Sequence, residues 1–292
     1  MILLTGATGT AGSFIANEFV QRKEPVRILV RDRAKAARFE KVPTVEIIEG
    51  DMSKKGSLGA ALEGIDRVLM ISGPSMSMVE TQSTFIDASK AAGVQHVIKF
   101  SGLDARPETT FPFGLMHKSI EEYLEKSGLA WTHLRPTGFM QEYLREAPTV
   151  IHQDALFFPL AQTRLNPVDL ADVGQIGHLL LRDGGHTGER LAITGPEALS
   201  MGEIAERLSR AVGRTIRYIP ISALDRRQAL IAHGIPPEFA DALDRQVEER
   251  LQGGLESRVD LSTHRLFNVI PTTFLEFAKT NADAFRGVAA AA

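Results

Sequence analysis

LLTGATGTAG, residues 3–12, is the stretch that decides the fold. Apolar residues run into Gly6, Gly9 and Gly12 at strict three-residue intervals, ahead of Phe14, Phe19 and Val20 at helical spacing. A strand that passes through such a loop into a helix sets backbone amides and a helix N-terminus where an anion is favoured. Glycine allows the backbone to approach a pyrophosphate and the helix to pack on the strand, while Thr8, Thr10 and Ser13 offer hydroxyl donors. A glycine-rich turn without a ligand is the alternative, and the order strand, loop, helix, second strand argues against it. No Lys-Ser/Thr pair follows Gly12, so the loop is not a P-loop.

Outward from that loop, apolar strand-like runs recur at 26–30 (VRILV), 45–48 (VEII), 67–72 (RVLMIS), 96–101 (HVIKFS) and 130–135 (AWTHLR). Segments of three- and four-residue apolar spacing, such as Ile120, Tyr123 and Leu124, lie between them. The alternation predicts βαβ units and a parallel sheet covered on both faces, an α/β fold of the Rossmann-type doubly wound class. This dinucleotide-binding domain is expected over residues 1–150, completed by about 170–196.

The second half reads differently. A strand-like RLAIT (190–194) precedes Ser200 and Glu203, a capping box for a helix running to Gly213. Helices follow at about Ala223–His233 and Pro237–Leu251, and a last one opens after Pro271 with Thr273 and Glu276 and carries Phe274, Phe277 and Phe285. Helices in sequence predict a small, mostly helical substrate cap over 197–292, with about 151–169. The four terminal alanines read as a frayed end.

Composition narrows the function. The 292 residues are 43% hydrophobic and 24% charged, with a net charge of −3, so there is no basic footprint for nucleic acid or an anionic membrane. A small-molecule partner is expected. The absence of cysteine removes disulfides, thiolate metal sites and thiol nucleophiles. The first strand leaves no room for a cleavable signal, and no apolar run approaches the roughly 20 residues of a membrane helix, so a cytoplasmic protein is expected. The histidines show no metal-ligand spacing, and no metal is expected. Monomer and homodimer are both open.

The end of the second strand bears on the cofactor. Asp32, about 20 residues beyond Gly12, sits where an acid binds the ribose 2′-hydroxyl in an NAD site. Arg31, Arg33 and Lys35 crowd the same place with positive charge. Each charge-assisted bond to a 2′-phosphate contributes on the order of 1.5–3 kcal/mol, so two outweigh one repelled acid. NADP(H) is therefore expected over NAD(H), carried mainly by Arg31; the alternative is a solvated basic turn with Asp32 as a surface acid.

TGATGTAG (5–12), VRILVRD (26–32), EGDMSKKGSL (49–58), VLMISGP (68–74), GVQHVIKFSG (93–102), KSIEEYLEKSGLAWTHLRPTGFM (118–140) and TFLEFAKTNADAF (273–285) together resemble the NmrA-like, atypical short-chain dehydrogenase/reductase family. That family holds reductases of triphenylmethane dyes, quinones and azo compounds, and a non-enzymatic regulator. The resemblance implies that Asp51 and Met52 border the adenine, although Asp51 also reads as a cap for the next helix. It sets Ser72 and Gly73 along the cofactor, Ser101 and Gly102 near the nicotinamide ribose, and Pro136, Thr137 and Phe139 over the nicotinamide, with Phe139 and Met140 facing substrate.

Extended members carry Tyr-x-x-x-Lys, with the phenol as proton donor. Here Lys118 stands in the lysine's place and Gly114 in the tyrosine's. Lys118 is expected to hold ribose hydroxyls and donate a proton, the alternative being a helix lysine paired with Glu121 or Glu122. His117 is the second candidate donor. Tyr123 reads as core packing, Asp169 and Asp172 read as caps or anchors, and Met76, Met78, Met116 and Met140 fall around the cleft. Nucleotide-sugar isomerase chemistry loses its base with the tyrosine. The resemblance implies NADP(H)-dependent reduction of a small conjugated acceptor, a quinone or azo compound, by direct hydride transfer without flavin or metal. The rival is an NAD(P)-sensing regulator that binds a protein partner.

Overall fold

Aliphatic residues fill the runs expected as strands, and both faces of the resulting sheet are covered. A computed structural model of the chain describes residues 1–288; the terminal alanines read above as a frayed end lie outside the described residues. In chain order the first half forms β1 (Ile2–Thr5), α1 (Thr10–Arg22), β2 (Val26–Val30), β3 (Val45–Glu49), α2 (Gly59–Leu62), β4 (Arg67–Met70), α3 (Met78–Ala91), β5 (His96–Phe100), α4 (Pro112–Lys126) and β6 (Ala130–Pro136). There follow α5 (Ala147–Gln153), β7 (Ala155–Phe158), β8 (Arg164–Leu165), α6 (Leu170–Asp183), β9 (Glu189–Ile193), β10 (Leu199–Ser200), α7 (Met201–Val212) and β11 (Arg217–Pro220). The chain continues through α8 (Ala223–Ala232), α9 (Pro237–Leu251), α10 (Ser262–Phe267), α11 (Phe274–Thr280) and α12 (Ala282–Arg286).

Seven strands form one parallel sheet in the order β3-β2-β1-β4-β5-β6-β9. The winding reverses between β1 and β4, which opens a crevice at the strand C-termini where ligands bind in such sheets. One core carries Leu4, Ile28 and Ile98 from the sheet with Ile15 of α1 and Val173 and Ile176 of α6. The other carries Leu3, Val68 and Val97 with Phe85 of α3 and Ile120 and Leu124 of α4. Burial on both sides is why these strands read as continuous apolar runs rather than alternating ones.

A third core joins Met140, Tyr143 and Leu156 to Ile204 and Leu208 of α7 and to Phe274, Phe277 and Phe285. The expected capping box is present at Ser200 with Glu203, and the helix start at Thr273 with Glu276 is a second one. The mostly helical cap also holds two short strand pairs, β7 parallel with β11 and β8 antiparallel with β10. One expectation is corrected. The last helix is two helices: the Asn281 side-chain amide donates to Phe277 O at 2.9 Å, and a side chain bonded back to the preceding turn competes with helix propagation.

Candidate active site

At the switch point the glycine loop is locked to the neighbouring strand. Thr5 Oγ1 donates to Ile71 O and accepts from Ile71 N, both at 2.7 Å. Gly6 has φ of +66°, and a Cβ there would lie 3.0 Å from the Ile71 side chain. A Cβ on Gly12 would lie 2.2 Å from Gly6 O, so helix and loop meet backbone to backbone. Gly9 is the N-cap of α1; no side chain caps that helix and no acid stands in its first turn. The amides and the positive end of the helix dipole are left for an anion, and the loop fits a pyrophosphate. Thr8 and Thr10 are exposed beside it, whereas Ser13 Oγ donates to Thr10 O at 2.9 Å.

The basic turn after β2 is sorted by its partners. Arg31 and Lys35 are exposed. Asp32 caps the following 3-10 turn by accepting from Ala34 N at 3.0 Å. Arg33, expected at the cofactor, is instead held by Glu40 at 2.8 Å and by Ile47 O at 3.2 Å, a local pairing that takes its guanidinium out of play. The residue the sequence reading missed is Arg38, which donates to Ala7 O of the glycine loop at 3.3 Å and stands 4.4 Å over the Phe39 ring. Burial lowers its pKa. Its signal was the three-residue spacing from Lys35, which puts both on one side of a turn. Asp51 accepts from Ser53 N and Oγ, which hold its carboxyl below the usual range; it shapes the turn. Met52, expected to border the adenine, packs in the core that contains Leu29 and Leu58.

Further along the crevice, Ser72 Oγ accepts from Gln82 Nε2 at 2.9 Å, and a Cβ on Gly73 would meet nothing within 4 Å. Ser101 N donates to Leu134 O at 2.7 Å, while its buried Oγ has no partner among the described residues. A Cβ on Gly102 would lie 2.4 Å from Asp104 Oδ1 and 3.8 Å from His117 Cδ2. Pro136 ends β6, and Phe139 packs 6.2 Å from Phe100, ring to ring. The Thr137 hydroxyl, expected over the nicotinamide, is spent on Asn166 O at 2.8 Å.

Helix α4 shows why the tyrosine is absent. A Cβ on Gly114 would lie 2.8 Å from Asp104 O and 3.0 Å from Thr109 Oγ1, so the first turn packs flat against the 104–109 loop. Lys118 ion-pairs with Glu122, one turn on. His117 accepts a contact the sequence reading missed: its Nδ1 lies 2.8 Å from Nζ of Lys99, a residue of β5 with 0% exposure. Burial pulls the Lys99 ammonium down to about 7, with Glu121 and Asp104 opposing and Arg135 adding to the fall. Burial and then Lys99 keep His117 well below its ordinary value. Burial pushes Asp104 up to about 6, reinforced by Glu256. A lysine inside the apolar run HVIKF was the available signal for this cluster.

The cap closes the far side. Glu249 of α9 accepts from Arg106 Nη2 at 2.8 Å, Thr109 Oγ1 at 2.7 Å and Phe111 N at 3.0 Å. Arg250 pairs with Glu256 and reaches to 3.5 Å from the Cβ position of Gly138. Leu103, Asp104, Phe111, Gln246 and Arg250 line the cleft between them. Met78 and Met140 lie in the second and third cores, Met116 packs half-buried against the second, and Met76 is exposed. Tyr123 is 41% exposed and donates to Asp87, not packed in the core. Asp169 caps α6 and Asp172 anchors Thr272. Among the described residues one group has metal-donor spacing, Glu121, Glu125 and His133, and Arg135 and Arg190 already neutralise its carboxylates. Among the described residues no helix is long and apolar enough to cross a membrane.

A parallel sheet with its reversal at β1 and β4, and a glycine loop feeding an uncapped helix, defines a Rossmann-type NAD(P)-binding protein. The NmrA-like family model matches residues 1–278, and the chain belongs to that family. It is 32% identical over 285 residues to an NAD(P)H azoreductase of Xenophilus azovorans, covering 98% of this chain and 99% of that one. To quinone oxidoreductase 2 of Escherichia coli it is 28% identical over 260 residues, covering 87% and 90%. Among solved structures, the NADPH complex of an NADPH-dependent quinone oxidoreductase from Escherichia coli superposes with a TM-score of 0.85 at 26% identity, covering 96% and 99%.

Proposed function

We propose that this chain, an NAD(P)H-dependent oxidoreductase, prefers NADPH and reduces a small conjugated acceptor such as a quinone or azo compound by direct hydride transfer. The observation that carries the reading is the crevice itself: an uncapped helix N-terminus at one end and the Asp104 carboxyl and His117 imidazole beside Gly102 at the other. Residues 1–150 with 170–196 would hold the cofactor and the remainder the acceptor.

The bound nicotinamide would supply the hydride. The chain's residues do the rest. The amides at the start of α1 bind pyrophosphate, and Arg31, Lys35 and Arg38 offer positive charge to a 2′-phosphate, while Asp32 is spent on its cap. Gly73 leaves the backbone open to the cofactor, and Phe139 and Arg250 bound the acceptor side. Neither flavin nor metal enters this scheme. Relatives named for azo and quinone reduction support the acceptor class.

The test follows NADPH and NADH oxidation by absorbance with quinones, azo dyes, enones and aldehydes. Turnover with NADPH on the conjugated acceptors is expected. Cofactor binding with no turnover on any acceptor would overturn the reading in favour of an NAD(P)-sensing regulator.

A further inference from the structure

We propose that His117 and Lys99 form the proton path that replaces the missing tyrosine, with His117 Nε2 protonating the reduced acceptor and Lys99 supplying the proton from behind. This rests on the reductase reading above.

Lys99 is fully buried, and no carboxylate ion-pairs with it among the described residues. Its Nζ has two contacts, Phe100 O at 3.1 Å and His117 Nδ1 at 2.8 Å. A buried ammonium with no carboxylate in ion-pair contact is costly, even with Glu121 and Asp104 nearby, and a leucine or methionine would fill the same space without that cost. A lysine here points to a role beyond packing.

The chemistry of the pair fixes the histidine. While Lys99 is an ammonium it has only donors, so Nδ1 accepts and the ring proton of neutral His117 sits on Nε2; the neutral amine allows the other tautomer. Nε2 takes no hydrogen bond from the described residues, and Cδ2, the carbon bonded to it, lies 3.8 Å from the Cβ position of Gly102. The donor edge of the ring thus faces the strand end assigned to the nicotinamide ribose.

The step balances. The acceptor takes a hydride from NADPH and a proton from His117: the Nε2–H bond breaks as an O–H or N–H bond of the product forms. Lys99 Nζ–H breaks as Nδ1–H forms, leaving a neutral amine and a neutral imidazole of the other tautomer. One proton from water restores the pair. The groups that face Lys99 are His117 and Glu121 from α4, His133 and Arg135 from β6, and Asp104 from the loop after β5. Burial brings the lysine to about 7, where it can both give and regain a proton near neutrality.

The test compares wild type with Lys99→Met and His117→Gln. Turnover in both variants is expected to fall by roughly a hundredfold, the usual contribution of a positioned acid, with KM for NADPH unchanged. In wild type kcat should decline as pH rises through about 7, and this limb should be lost in Lys99→Met. The second readout needs no cofactor: below pH 7, where Lys99 is charged, ring-nitrogen NMR of His117 should show the Nε2–H tautomer in wild type and a mixed population in Lys99→Met. A Lys99→Met enzyme with wild-type kcat and pH profile, or a wild-type His117 protonated on Nδ1 alone, overturns the relay and leaves the reductase reading standing. A wild type that turns over no acceptor overturns both.

Discussion

The two ends of the crevice are built by different means. At the glycine loop the working groups are backbone amides, and their placement depends on close approach, Gly12 against Gly6 O above all. At the β5–α4 corner they are side chains, the buried Lys99 and the half-buried His117 and Asp104, whose behaviour depends on desolvation and the charges around them. The first end is sensitive to volume and the second to electrostatics, so substitutions should separate them.

The largest effect should come from filling the loop. Gly12→Val puts a branched side chain where a single Cβ already lies 2.2 Å from a carbonyl oxygen, and NADPH binding, read by fluorescence titration, is expected to vanish. Stability should fall by about 1–3 kcal/mol, the usual cost of overpacking. Retained binding would mean that the loop is not set by close packing.

At the other corner Lys99→Met should act through pH. The folded-state pKa of Lys99 is depressed from 10.5 to about 7. The buried ammonium is therefore a full penalty below pH 7, and the penalty fades as pH rises towards the unfolded value. Lys99→Met is expected to raise denaturant-derived stability by about 2–4 kcal/mol at pH 6 and to match wild type above pH 10.5. A pH-independent difference would show that the lysine is neutral or hydrated.

A finer effect divides the two arginines after β2. Arg31→Ala should weaken NADPH about tenfold or more and leave NADH unchanged, the loss of one charge-assisted bond. Arg33→Ala, whose guanidinium is already held by Glu40, should change neither affinity measurably. Equal losses at both positions would show a diffuse basic field instead of a directed contact.

What was legible in the sequence follows the same division. The seven sheet strands, the capping boxes at Ser200 and Thr273, and the loop Gly6, Gly9, Gly12 depend on local pattern, and local pattern is what a sequence displays. The pairs β7–β11 and β8–β10 are short and bring together segments far apart in the chain, so no local run announced them. Arg33 and Arg38 are equal as letters; only Glu40 and Ala7 O tell them apart. Lys99 and His117 are 18 residues apart and meet because β5 and α4 are layered, which the spacing of neither shows. Lys118 drew attention because a motif named it, and its ammonium lies on Glu122.

Gly114 carries a historical consequence. Because its Cα faces the Asp104 carbonyl across a gap too narrow for a methyl group, a one-codon change cannot return this helix to phenol-based chemistry. The 104–109 loop has to retreat before a tyrosine can be accepted, and that loop is tied to the cap through Glu249. The absence of a tyrosine is thereby locked into the packing: a protein on this backbone must find its proton elsewhere or remodel two layers at once.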